Sequence, residues 1–155
     1  MAKEYELLMQ KMADGSAVKS SLADFGFAVC DIPWPDEETQ ELATRKWPGE
    51  HGEDTYISPD GQKLQAYDLT VEFCYKGDVN TADAAYTVLR DYLIGPGGFL
   101  RLYDPYWRKG RQNVYVKKFH DRDPHRSNLD DVLSMKVTFR VTDPITEITL
   151  NYVGD

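Results

Sequence analysis

Alternation with a period of two is the strongest signal in this chain. Tyr67, Leu69, Val71, Phe73 and Tyr75 alternate with Asp68, Thr70, Glu72 and Cys74, which predicts a strand with one apolar face. Leu133, Met135, Val137, Phe139 and Val141 alternate in the same way with Ser134, Lys136, Thr138 and Arg140, and Asp143-Pro144 breaks that run. Between the two, the period changes. Ala82, Ala85, Tyr86, Leu89, Tyr92 and Leu93 recur at three and four, the mark of one amphipathic helix over 80–94. Asn80 or Thr81 suits its N-cap, Asp83 suits its first turn, and Gly95-Pro96-Gly97-Gly98 stops it.

Shorter runs add strands. Phe25 to Cys30 ends at Pro33-Trp34-Pro35, and Phe99 to Tyr103 follows the helix. Gln112 to His120 places Val114 and Val116 on one face and Tyr115 and Phe119 on the other. Leu42 to Trp47 reads as a short strand, and Ile145 to Leu150 as a last one. Residues 1–19 are ambiguous. Tyr5, Leu8, Met9 and Met12 fit helical spacing, and an irregular arm or a strand fits as well. Residues 36–61 form an acidic, loop-rich segment with turns at Pro48-Gly49, Gly52 and Pro59-Asp60-Gly61. Strands, one helix, then strands predict an α+β, mainly β fold: an antiparallel, β-sandwich-like domain with a flanking helix, in a single domain over 1–155.

Composition narrows the class. At 155 residues, 41% hydrophobic and 28% charged, the chain is long enough to bury a core and too apolar for disorder. A net charge of −8 argues against a general nucleic-acid binder. No apolar run reaches transmembrane length, and MAKEYELLMQ lacks the apolar core of a secretory leader. Cys30 and Cys74, without a CxxC spacing, read as reduced and buried thiols of a reducing compartment.

Candidate chemistry is sparse. HDRDPH, residues 120–125, holds the one cluster of ligand-type side chains, but Arg122 and Arg126 discourage a cation there and Pro124 marks a solvated loop. His51 among Glu50, Glu53 and Asp54 reads as turn chemistry. No serine sits in a nucleophile elbow, and the glycines at 95–98 follow a helix rather than open one. The reading is therefore of a non-enzyme with no cofactor and no metal.

Charge carries more. Residues 36–60 have a net charge of −6, and residues 101–126 a net charge of +5, with Tyr103, Tyr106 and Trp107 among the bases. Either the two segments neutralise each other within one chain, or unlike patches of neighbouring copies meet head to tail, a contact that closes into rings or grows into filaments. The candidate subunit contacts are Tyr106, Trp107, Arg108 and Arg111 on the basic side, and Glu50, Glu53 and Asp54 on the acidic side. The rival is an accessory protein that stacks single-stranded nucleic acid or a small ligand on those aromatics, a use the acidic balance disfavours.

One layout runs through SSLADFGF (20–27), DIPWP (31–35), KWPGEHGED (46–54), YDLTVEFCYKG (67–77), the helix, GGFLRLYDPYWRKGRQNVYV (97–116) and FRVTDP (139–144). It resembles the N-terminal domain of phage distal tail proteins, the baseplate hub proteins of siphophages and related prophages. Pro48, Gly49 and Gly52 match that family's proline-glycine loop, while Glu50 and His51 stand where the family often has a basic residue. The resemblance implies a structural protein that assembles into a ring, a hexamer, around the tail axis and contacts other tail proteins. It also implies residence in the virion tail after assembly in the bacterial cytoplasm, and related roles in the tail tube or terminator fit the same fold. With its end near Asp155, the chain is expected to lack the extra C-terminal domain of larger members, so receptor binding is not implied.

Overall fold

The two strands with the cleanest alternation pair with each other. In the computed structural model, which describes residues 5–13, 17–34, 37–76, 79–120, 123–125 and 132–152, β6 (Tyr67–Lys76) runs antiparallel to β10 (Val132–Val141), from Val132 opposite Lys76 to Val141 opposite Tyr67. Leu69, Val71 and Phe73 thereby share a buried face with Met135, Val137 and Phe139. Each such side chain contributes about 2 kcal/mol of burial.

The remaining strands extend this pair into one antiparallel sheet. They are β1 (Leu8–Lys11), β2 (Lys19–Ser20), β3 (Phe27–Asp31), β7 (Leu100–Asp104), β8 (Lys109–Phe119) and β9 (Asp123–His125). The order across the sheet is β2-β1-β7-β8-β10-β6-β3, with β9 also on β10. The sheet curls until its ends meet, where Phe27 N–H donates to the Ser21 carbonyl at 2.8 Å and Val29 N–H to the Tyr5 carbonyl at 3.0 Å. A curled sheet supplies both layers of the expected sandwich-like core. The helix α1 (Val79–Ile94) packs against it, with Leu89 and Leu93 in the core and Tyr86 edge-on to Phe119. Fold class is α+β, mainly β, as the alternation predicts.

One open reading is decided and four local expectations are corrected. The ambiguous N-terminus forms strand β1, and Leu7, Leu8 and Met9 are all buried, so the strand is covered on both faces and shows no alternation. The helix starts at Val79, which puts Asn80 and Thr81 inside it and Asp83 beyond its first turn. Phe119 lies on the core face with Val116, because Lys117 and Lys118 together oppose Thr138 in a bulge that shifts the alternation by one. Residues 145–150 form no strand. The Asp143 carboxylate accepts from the N–H groups of Ile145 and Thr146, which turns the chain, and Ile148 then seats over Gly110. Finally, Cys30 and Cys74 form a disulfide. Their spacing along the chain does not reveal that β3 lies on β6, with Ala28 opposite Cys74 and a bulge at Cys30 that leaves the two Cα atoms 6.0 Å apart.

Candidate assembly interface

The β7–β8 turn is built to present aromatic side chains. Asp104 and Lys109 are the last paired residues, and Pro105 to Arg108 cross between them, with Arg108 at a φ of 55°. Asp104 is buried, yet both its oxygens are engaged: one accepts from the Tyr106 N–H at 3.0 Å, the other from the Trp34 indole N–H at 3.3 Å. That fixed carboxylate leaves Tyr106 56% and Trp107 63% exposed. Tyr106 stands edge-on to Trp107 on one side and to Tyr5 on the other, with centroids 5.7 and 5.4 Å away. Lys109 lies over the Trp34 ring at 5.0 Å.

These rings line a groove of about 680 Å³ whose wall also takes in Val29 to Trp34. The fold adds carboxylates that lie outside both charged segments of the sequence. Glu6 and Asp31 border the same groove as Lys109, so the aromatic surface is mixed in charge rather than purely basic. Cys30 is exposed in the groove wall, whereas Cys74 is buried. Residues 30–34 were not among the expected contacts. Trp34 between two prolines was the available signal, an apolar ring where no strand can continue.

Arg108 is exposed beside the rings, but Arg111 is not. It is 3% exposed, with Nη1 on the Gly110 carbonyl at 3.0 Å and 3.7 Å from Glu147, and among the described residues its Nε has no partner. The C-terminal segment crossing Gly110 covers it. Burial raises the Tyr67 hydroxyl above its ordinary range, an effect that Arg111 beside it partly offsets. Arg111 thus holds the base of the turn and is not a surface cation.

The acidic candidates lie on a separate arm. β4 (Thr44–Arg45) and β5 (Asp54–Thr55) form a two-stranded hairpin, continued by a bridge between Thr39 and Leu64. None of residues 37–66 is buried. Trp47 donates its indole N–H to Asp54 at 2.8 Å and stacks under Arg45 at 3.9 Å, and Glu50, Glu53 and Asp54 are all exposed. Trp47, Tyr56 and Ile57 are exposed as well. Among the basic residues, Lys117 pairs with Asp68 on β6 at 2.9 Å, not with the arm.

The other candidates place as follows. His120 bonds Thr138 Oγ1 at 2.6 Å, Asp121, Arg122 and Arg126 lie outside the described residues, and 123–125 is strand β9 rather than a loop. His51 is exposed on the arm. Among the described residues no group of three or more His, Cys, Asp or Glu could hold a metal ion, and no helix is long and apolar enough to cross a membrane.

The fold is shared with a phage tail hub protein. The crystal structure of SPP1 Dit, described as a paradigm of the hub adsorption apparatus in phages that infect Gram-positive bacteria, matches 89% of this chain with a TM-score of 0.60 and 16% identity. The chain spans about half the length of SPP1 Dit, since the match covers 50% of that protein. At this identity the likeness is one of fold, and it agrees with the resemblance to distal tail proteins read from the sequence. A match to the tail of an empty GTA particle, refined with C6 symmetry, covers 94% of this chain and 96% of that one, but a TM-score of 0.42 at 7% identity is too low to carry an argument. No protein-family model matches the sequence, and no curated protein matches it significantly.

Proposed function

We propose that this chain is a structural, non-enzymatic component of a phage or prophage tail, which self-associates into a ring at the tail tip and joins other tail proteins there. The observation that carries this reading is the fold shared with SPP1 Dit over 89% of the chain. A six-membered ring is what the resemblance to distal tail proteins implies, with the virion tail as its final location and the bacterial cytoplasm as its place of assembly.

The contact we assign is head to tail. An arm with no buried residue carries exposed Trp47, Tyr56 and Ile57 beside Glu50, Glu53 and Asp54. An isolated two-stranded hairpin is at best marginally stable in water, so such an arm gains from a surface to lie on. The β7–β8 turn offers Tyr106, Trp107 and Arg108. Aromatic residues and arginine dominate the centres of protein interfaces, while the charges set orientation and rate more than affinity. Arg111 supports the turn from beneath.

Light scattering during size exclusion tests this at high protein concentration and low salt. The reading expects a mass several times that of the monomer, and a strict monomer under those conditions contradicts it. The rival, stacking of single-stranded nucleic acid on Tyr106 and Trp107, meets Glu6, Asp31 and Asp104 around the same rings, which repel phosphates. Salt-dependent binding of a labelled oligonucleotide would favour that rival.

A further inference from the structure

The Cys30–Cys74 disulfide lies where the aromatic groove meets the sheet. Cys30 is the extra residue of a bulge on β3, between Val29 opposite Phe73 and Asp31 opposite Glu72. Asp31 is the last residue of β3 to pair with β6, so the cross-link sits one residue from the end of that ladder. Beyond it, Ile32, Pro33 and Trp34 form part of the groove wall and lie outside any strand. Trp34 Nε1 to Asp104, at 3.3 Å, is the side-chain bond that ties the far end of the wall to the turn. Asp104 in turn holds Tyr106, whose ring meets Tyr5. The disulfide therefore anchors one end of a chain of contacts whose other end is the exposed aromatic surface.

We propose that this disulfide is a redox-controlled strut for the groove: oxidised, it fixes the wall of residues 31–34, and reduced, it lets that wall open. The proposal concerns the regulation of the surface named under the proposed function and rests on that reading only for its effect on assembly. Cys30 is exposed and Cys74 is 8% exposed, so a thiolate reaches the Cys30 sulfur first. A small dithiol is the reductant. Its thiolate bonds to Cys30 Sγ, the S–S bond breaks, and Cys74 leaves as a thiolate that takes a proton from water. The second thiolate of the reagent then displaces Cys30, which is protonated likewise. Two electrons pass to the protein, and the reagent departs as its own disulfide.

The test compares the oxidised protein, the protein treated with dithiothreitol, and the Cys30→Ser/Cys74→Ser variant. Hydrogen exchange read by mass spectrometry is the primary measurement. The proposal expects exchange of the amides in 29–34 about tenfold faster in the reduced protein and in the variant, with residues 114–116 and 135–139 unchanged. It also expects the concentration for half-assembly to rise at least several-fold. Unchanged exchange at 29–34 overturns the strut, as do two free thiols in protein purified in air. Should the variant fail to fold, the dithiothreitol-treated protein decides, with protection at 135–139 as its check that the core persists. Faster exchange at 29–34 in a protein that never self-associates upholds the strut and contradicts the ring reading, so the two failures are distinct.

Discussion

The ammonium of Lys11 donates a hydrogen bond to the Pro96 carbonyl at 2.7 Å, joining β1 to the turn that ends the helix. Lys11 is buried, and its charge also faces the Tyr92 ring at 4.9 Å. The glycine turn exists to let it pass. Gly97 has a φ of +124°, and a Cβ there would come within 2.5 Å of Lys11 Cδ. Replacing Lys11 by Ala removes a charge-assisted bond and its packing, with an expected cost of about 2–3 kcal/mol. Gly97→Ala is expected to destabilise by more than about 1 kcal/mol through strain and overlap. Urea denaturation of both variants measures these shifts.

The bulge at Lys117 and Lys118 separates two aromatic residues that simple alternation places together. Phe119 packs on the core beside Tyr86, and Tyr115 is exposed near Phe99. Phe119→Ala is expected to cost about 2–3 kcal/mol, whereas Tyr115→Ala stays within about 1 kcal/mol. Equal effects in denaturation experiments would place the bulge elsewhere.

Much of the architecture is legible in the side-chain pattern. β6, β10 and the helix are long, and each buries one clear face, so their periods survive in the sequence. What is lost arises where a residue's neighbours come from far along the chain. Leu7, Leu8 and Met9 are buried together, and a strand covered on both faces has no period to read. The bulge shifts Phe119 by one residue without altering composition. Cys30 meets Cys74 through strand pairing, and Arg111 is buried by a C-terminal segment that follows an Asp143 turn. The candidate surface was half legible. Tyr106, Trp107 and Arg108 are exposed, as candidate contacts must be, while the acidic wall of the groove comes from residues 6 and 31, remote in sequence.

Asp68 makes stability depend on pH. The hydrogen bond from Lys117, with Arg140 on its other oxygen, holds its carboxyl below the usual carboxylate range, and the Thr146 N–H does the same for Asp143. A pKa lowered on folding means the unfolded chain binds protons more readily. The contribution is therefore present above the ordinary carboxylate pKa and fades as pH falls through the folded value. Asp68→Asn is expected to be less stable than the parent at pH 7, and the difference to shrink below about pH 4. Denaturation at the two pH values checks this. Asp68 is exposed and Asp143 half-buried, so solvent screens these contacts and the effect is small.

Charge at the proposed contact is tested by exchange. Arg108→Glu is expected to weaken self-association about tenfold without changing monomer stability, and Glu53→Lys to do the same. Combining them is expected to restore part of the loss if the two residues face each other across the contact. Light scattering over a concentration series reads all three.

Assembly itself is the central claim, and electron microscopy of the concentrated oxidised protein addresses it most directly, with Trp107→Ala as the comparison. The account predicts closed rings of copies for the parent and their loss in the variant, whose monomer stays folded because Trp107 is 63% exposed. Monomers alone at high concentration and low salt, or rings unaffected by Trp107→Ala, would contradict it.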